Sequence, residues 1–443
     1  MIADLPHLPF GISPMWLPVT VLGLTYAAVI AGRFNRAVTA LSGAVILILL
    51  GALDQAEAIR GIDWDTIGLL VGMMILVAVS RRSGLFQFLA VWSSQRVKAN
   101  PAGILLMLQV VTALLSAVLN NVSTVLLIVP VTLVIVEELE VPPFPFLFAE
   151  VFAANIGGTS TLIGDPPNIL IGSQAGLDFN AFLNNIAPVA GLIMALQAAT
   201  VHLVWGRFLR ASPEARILMM GMNARGMIED AGQLVRSAVV LVAVLAAFVF
   251  AEPLHLKPAT IALSGAAVLM LLDNLRRPDL GKDNVPATFA DIDWTTIFFF
   301  LGLFVVVHAV EVSGALAIVA DRLVTVTRDN GAAAASVILW ASAVLSAVLD
   351  NIPFVATMIP LIKNTSAAYG GPAAIAPLWW ALSLGACLGG NGTLIGASPN
   401  LAVAGIAERN GIHFSFVRYF SYAIPMMLAS IGICQLYLWL RYF

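Results

Sequence analysis

Two stretches of this chain repeat each other at points where no regular element can continue. Asn155-Ile-Gly-Gly-Thr-Ser-Thr-Leu-Ile-Gly-Asp-Pro-Pro-Asn168 recurs as Leu388-Gly-Gly-Asn-Gly-Thr-Leu-Ile-Gly-Ala-Ser-Pro-Asn400. Each lies inside an apolar run long enough to cross a bilayer. Glycine and proline in mid-span break a helix and free backbone polar groups. Hydrocarbon tolerates such groups only where they are buried in protein or line a cavity. Broken spans at matching places in two halves of a chain mark a solute site between repeats.

The remainder of the chain suits a lipid bilayer. Of 443 residues, 60% are hydrophobic and 11% charged, against roughly 25% charged in a soluble protein. Mean hydropathy is +0.95. The fold class is therefore an all-α polytopic membrane protein. A net charge of −3 without a basic cluster gives no reason to expect nucleic acid as a partner. Cys387 and Cys434 cannot build a disulfide framework or a thiolate cage by themselves. His7, His202, His255, His308 and His413 show no ligand spacing, so no metal or other cofactor is expected. No P-loop is present. The N-terminus has no basic region before its first apolar run, which argues against a cleaved signal peptide.

Apolar runs predict helices at about 15–33, 38–53 and 64–80, then an amphipathic stretch at about 83–98. A helical hairpin follows at about 102–138, a broken helix at about 144–177 and a helix at about 187–208. After a polar loop the order returns: about 235–251, 258–273, 293–310, an amphipathic stretch at 314–327, a hairpin at 333–366, a broken helix at 374–407 and a last helix at 421–440. Ile62-Asp63-Trp64 matches Ile292-Asp293-Trp294, and Ser83-Gly84 matches Ser313-Gly314. Leu115-Ser-Ala-Val-Leu-Asn-Asn121 matches Leu345-Ser-Ala-Val-Leu-Asp-Asn351 at the same offset of 230 (293 − 63), and the broken segment follows at 232 (400 − 168). The chain divides into a first repeat at 1–208, a cytoplasmic linker at 209–234 and a second repeat at 235–443. Each repeat has about five crossing helices, one of them broken, plus a hairpin that adds zero or two crossings. The number is odd either way, so the repeats have inverted topology. Hairpin arms of roughly 14–16 apolar residues are short for a full span and suit re-entrant segments.

With the N-terminus placed outside, 16 of the 22 Lys and Arg residues fall inside, among them Arg33, Arg36, Arg81, Arg82, Arg276, Arg277 and Lys282. That bias sets both termini outside a cell membrane.

Hairpin tips and helix breaks face one another in such an architecture. The expected solute-binding residues are Asn120, Asn121, Ser123 and Thr124 at the first tip and Asn351 at the second. At the breaks they are Thr159, Thr161, Asn168, Asn391, Thr393, Ser398 and Asn400. These side chains offer uncharged oxygens and amide donors, and half-helix ends add partial charge. Where the copies differ, Asn120 becomes Asp350 and Asp165 becomes Ala397, so each half gives one carboxylate. Intramembrane carboxylates are functional candidates by default, which assigns Asp165 and Asp350 to ion coupling and adds Glu150 on a proton path. Asp165 before a helix restart also reads as a cap, and Asp350 at a tip also reads as a ligand of local N–H groups. The motifs hold no Arg or Lys, which favours a proton, a cation or a neutral polar solute.

These residues resemble the ion-transporter superfamily of arsenite/antimonite permeases, NhaD-type sodium/proton antiporters, the melanosomal P protein and divalent-anion/sodium symporters. The resemblance runs from about residue 15 to the C-terminus. It is strongest in the broken segment at 155–168 and in Leu349-Asp-Asn-Ile-Pro-Phe-Val-Ala-Thr-Met-Ile-Pro360. It implies re-entrant hairpins, a midplane site and alternating access. Dicarboxylate symporters of this superfamily carry Ser-Asn-Thr at both tips, and this chain does not. With lysine-free motifs, the resemblance implies a proton-coupled exporter of a small inorganic solute, arsenite or antimonite, with a separate cytoplasmic ATPase as an optional partner. The competing readings are an NhaD-type sodium/proton antiporter and an anion or organic-acid (dicarboxylate, citrate) transporter. An intramembrane hydrolase and a passive channel are the readings from other classes, and the sequence leaves oligomeric state open.

The charge bias yields a direct test. A periplasmic-type phosphatase fused after Phe443 is expected to be active and one inserted near residue 220 inactive; the reverse pattern inverts the orientation.

Overall fold

The computed structural model describes residues 15–276, 278–328 and 330–443, with side chains described outside 276–283. Nine long helices of the first repeat return as nine of the second. The first set is α1 (Trp16–Ala31), α2 (Arg36–Leu49), α3 (Trp64–Arg81), α4 (Leu85–Arg96), α5 (Pro101–Val118), α6 (Asn121–Glu138), α7 (Phe144–Thr159), α8 (Pro166–Ala175) and α9 (Ala187–Val204). The second is α10 (Ala231–Val249), α11 (Pro258–Arg276), α12 (Trp294–Val312), α13 (Ala315–Thr327), α14 (Gly331–Val348), α15 (Asn351–Thr365), α16 (Ala376–Gly389), α17 (Ser398–Arg409) and α18 (Phe416–Tyr442). Among the described residues no strand occurs, and nine helices are long and apolar enough to cross a membrane.

The motifs at one offset are helix starts. Asp63 accepts from Thr66 N at 3.1 Å to open α3, and Asp293 accepts from Thr296 N at 3.0 Å to open α12. Asn100 and Asn330 cap α5 and α14 in the same way. A side-chain cap of this kind contributes about 1 kcal/mol. Gly84 and Gly314 precede α4 and α13 with φ of 77° and 80°, a left-handed conformation that a residue with Cβ adopts only under strain. Trp64 and Trp294, beside the Asp caps, remain exposed at the helix ends, as interfacial aromatics do.

Packing is reciprocal between the repeats. α2 lies on α12 while its counterpart α11 lies on α3, and α5 on α7 is matched by α14 on α16. Likewise α8 meets α15 and α17 meets α6. Such an exchange is what two repeats related by a pseudo-two-fold axis produce. The repeats therefore interdigitate along their length. Small residues sit where helices cross, as is usual in membranes. A Cβ on Gly72 of α3 would come within 2.7 Å of Ala262 of α11, and one on Gly302 of α12 within 2.5 Å of Ala40 of α2.

Several sequence expectations need correction. Both arms of the first hairpin have 18 residues, as does the first arm of the second, with 15 in its return arm. The three 18-residue arms are longer than the 14–16 anticipated because the polar caps Asn100, Asn120 and Asn330 start the helices beyond the apolar run, and the 15-residue arm matches that range. The tips nonetheless stop at the level of the helix breaks, where Asn121 N donates to Gly164 O at 3.1 Å. Conversely, α1 and α2 are shorter than expected, with 16 and 14 residues. Gly32 ends α1 at φ 63°. The linker at 209–234 holds a helix at Pro213–Gly221 and a 3₁₀ turn at Ala224–Met227, and it is fastened to α4 by Glu229 N on Ser83 O at 3.2 Å. A further helix, Pro278–Ala290, fills what read as a loop. His7 and Arg277, and the side chains of Arg276 and Lys282, lie outside the described residues.

Close crossings make a stability prediction. Gly157→Ala pushes a Cβ to 2.2 Å from Ala113 O and is expected to destabilise by about 1–3 kcal/mol. Gly432→Ala meets open space and is expected to be neutral; equal thermal-unfolding midpoints in detergent for the two variants would contradict the packing.

Candidate functional site

Breaking a helix inside a membrane leaves carbonyls that need donors, and this chain supplies them twice over. Ser116 Oγ donates to Ala154 O at 2.5 Å, and Ser346 Oγ donates to Ala386 O at 2.6 Å. Thr161 and Thr393 clamp each break to its hairpin, through Ala117 O and Ala347 O, both at 2.5 Å. Asn168 Nδ2 bonds Thr159 O and Thr161 O, both at 2.9 Å, and Asn400 Nδ2 bonds Gly390 O and Thr393 O, both at 2.8 Å. Thr161, Thr393, Asn168 and Asn400 were expected to touch solute. Their donors instead hold backbone carbonyls, the threonines those of the hairpins and the asparagines those of the breaks.

Between the breaks runs a buried amide network. Asn155 Nδ2 donates to Asn391 Oδ1 and Asn400 Oδ1, both at 2.9 Å, so one side chain joins the two repeats. Its Oδ1 accepts from Asn121 Nδ2 at 3.3 Å. Its sequence counterpart is Cys387, and Cys387 Sγ meets Asn168 Oδ1 at 3.5 Å beside Ser383 Oγ at 2.7 Å. Asp165 lies against this network, beside Cys387, Asn121 and Asn351 and near enough to Asp350 for the two charges to interact. It is 1% exposed. It makes no side-chain cap to α8, and its Oδ2 has no hydrogen-bond partner among the described residues. The capping alternative for Asp165 is therefore not what the structure shows.

Asp350 is different. Its carboxylate accepts weakly from Ile352 N at 3.4 Å and pairs with Arg36 Nη1 at 3.2 Å. Arg36, the first residue of α2, also donates to Ser398 Oγ at 3.1 Å and Thr296 Oγ1 at 2.6 Å and lies 3.7 Å from Asp293. One guanidinium thus connects the second hairpin tip, the second break and the start of α12. It lines a cavity of about 180 Å³ with Asn120, Ser123, Pro166 and Ser398. This corrects the reading of a centre free of basic residues. The motifs hold no cation, but the N-terminus of a helix far away in sequence delivers one. Sequence reasoning missed it because Arg36 looked like one of many positively charged ends; its only signal was its place at the start of a crossing helix.

The remaining candidates divide. Asn120, Ser123 and Ser398 line the cavity, while Asn120 also caps α6 through Val122 N at 2.8 Å. Thr124 and Thr159 bond back to carbonyls of their own helices. Asn351 and Asn391 are buried in the network. Glu150 is partnered by Thr132 Oγ1 at 2.5 Å and is not brought to the aspartate cluster. A larger cavity of about 460 Å³ lies at the opposite end, between α8 and α10–α11, mainly apolar, and includes none of the polar motif residues.

Comparison with known proteins gives the family and the fold. A family profile described as citrate transporter (CitMHS) matches residues 26–385. A Mycobacterium tuberculosis protein described as an uncharacterized transporter is 40% identical over 429 residues, covering 96% of this chain and 98% of the relative. The mouse P protein is 33% identical over 502 residues, covering 94% of this chain and 59% of its own length. Among solved structures, the YdaH transporter of Alcanivorax borkumensis superimposes with a TM-score of 0.60 at 13% identity, over 96% of this chain and 98% of that one. MtrF of Neisseria gonorrhoeae, described as illuminating a class of antimetabolite efflux pumps, gives 0.61 at 13% identity, over 98% and 96%. Both share the fold.

The Arg36–Asp350 pair is testable by a double-mutant cycle. Arg36→Gln leaves two carboxylates without a countercharge and is expected to lower stability by about 1–2 kcal/mol, the half-buried setting discounting the full penalty. Adding Asp350→Asn is expected to recover part of it, a coupling of about 1 kcal/mol. Strictly additive thermal shifts would mean that the pair does not form.

Proposed function

Because the chain belongs to the CitMHS citrate transporter family, we propose that it is a secondary transporter of a small carboxylate anion, with Arg36 as the countercharge that recognises it. The observation that carries this reading is the guanidinium in a cavity between a hairpin tip and a helix break. A planar fork of N–H donors suits a carboxylate better than a neutral solute. As(OH)₃ or another uncharged solute suits a centre without a cation, and Arg36 gives this centre one.

Coupling follows from competition. Arg36 is shared by Asp350 and Asp293, so the cluster carries one net negative charge and repels an anion. A solute carboxylate that takes Arg36 leaves Asp350 unpaired in a half-buried place. A proton on Asp350 removes that penalty. Anion and proton then bind together, each favouring the other by the same factor. Asp165, buried with a free oxygen, takes a second proton or a cation. With the N-terminus outside a cell membrane, the Arg36 cavity opens to the cytoplasm.

A sodium/proton antiporter of NhaD type is the second reading. What favours it is Asp165 among the amides of Asn121 and Asn351, a set of oxygens that suits Na⁺.

Purified protein in liposomes with a pH-sensitive dye separates the readings. Citrate is expected to drive proton movement. Arg36→Gln is expected to weaken citrate by roughly 10–100-fold, the loss of a charged hydrogen-bond pair, and Asp350→Asn to reduce the proton signal to what Asp165 carries. A response to Na⁺ alone would establish the antiporter, a response to As(OH)₃ alone an arsenite exporter, and silence to all three would reject the assignment.

A further inference from the structure

A second, smaller cavity, of about 80 Å³, lies at the other end of the molecule and includes Phe304, Val307, His308 and Glu311 of α12. These four positions are, at the offset of 230, those of Met74, Val77, Ala78 and Arg81 on α3, which line the Arg36 cavity. Ala356 of α15 corresponds to Leu126 of α6, and Gly61 to Asp291, in the same two cavities. The match is not imposed by local sequence, since Ala78 and Arg81 are replaced by His308 and Glu311. It arises because each repeat places the same face of this helix against its own hairpin. The two cavities are thus one feature built twice, open to opposite ends of the protein and unequal in size.

Contacts at the smaller end explain the inequality. Asp63 accepts from Ser173 Oγ and Gln174 Nε2 of α8, both at 2.9 Å, in addition to its cap on Thr66. Lys363 Nζ donates to Gln174 Oε1 at 2.8 Å. At the Arg36 end, the counterpart Asp293 faces Arg36 instead. The residues matching Ser173 and Gln174 at the 232 offset are Gly405 and Ile406, which have no side-chain donors. Among the described residues the helix-start aspartate holds the broken helix directly at one end only; at the other the link runs through Arg36 to Ser398.

We propose that the His308–Glu311 cavity is the access route from the opposite face of the membrane, with Lys363 as the countercharge for an anion there, and that Asp63 holds it shut through Ser173 and Gln174. Lys363 suits that role because its ammonium bonds a neutral amide, while Glu311 is near enough for the two charges to interact without forming an ion pair. His308 and Glu311, 3.6 Å apart, face it across the cavity. The anion part rests on the carboxylate reading above; the access part does not.

Cysteine accessibility tests both parts. Cys387 and Cys434 are buried, so the parent chain is expected to be silent to a membrane-impermeant maleimide in sealed vesicles of either orientation. Val77→Cys is expected to label from the Arg36 face and Val307→Cys only slowly from the other. Gln174→Ala, or Asp63→Asn as an independent release that keeps the helix cap, is expected to speed labelling of Val307→Cys by about tenfold, the loss of a charge-assisted bond. The same change is expected to slow Val77→Cys. Labelling of both cysteines from one face, or rates unmoved by both releases, would overturn the access route. In the released protein, citrate is expected to protect Val307→Cys and Lys363→Gln to remove that protection. Protection that survives Lys363→Gln would remove the lysine's role, and an opened route with no protection by citrate would reject the anion reading alone.

Discussion

Every feature of the centre depends on one requirement: a backbone opened inside hydrocarbon must find partners within the protein. The two breaks meet it with the same parts. A serine and a threonine tie each break to its hairpin, and an asparagine at the restart gathers the loose carbonyls. Those bonds fix the hairpin tips at the depth of the breaks. They also spend most of the polar side chains of the motifs on structure. Outside those bonds stand Asp165, Asp350, Asn120, Ser123 and Ser398, with Arg36 added from outside the motifs.

Arg36 changes the chemistry of the centre because it stands between groups that move independently in sequence. It touches α12 through Thr296, the second tip through Asp350 and the second break through Ser398. A cation shared by two carboxylates is a poor anion site until one carboxylate is neutralised. In the coupling proposed above, proton linkage needs no separate relay. Glu150, bound to Thr132 and apart from this group, is not required for it.

Duplication supplies two equivalent ends, and point differences make them unequal. Asp63 and Asp293 both cap a helix, yet one is bound by side chains of the broken helix and the other by an arginine. An exact repeat would leave the two ends equal in energy. Where Ser173 and Gln174 bond Asp63, Gly405 and Ile406 have no side-chain donors, and the cavity at the Arg36 end is the larger of the two.

The repeat, its offset, the helix starts at Asp63 and Asp293 and the breaks at 160–165 and 390–397 were legible in the sequence, because each depends on local chemistry: apolar periodicity, a capping side chain, a glycine or proline where a helix cannot run. Asn155, Asn168 and Asn400 were recognisable as important, but whether an amide serves solute or backbone depends on which carbonyls face it, and that is decided by neighbours far away in the chain. Arg36 lies 314 residues from Asp350, and no spacing rule joins them. The sequence by itself determined the membrane class, the duplicated architecture and the location of the polar centre. Only the tertiary structure decided that a cation enters that centre, that most motif donors are occupied, and that Asp63 bonds the broken helix while Asp293 faces Arg36, because all three depend on contacts between residues far apart in the chain.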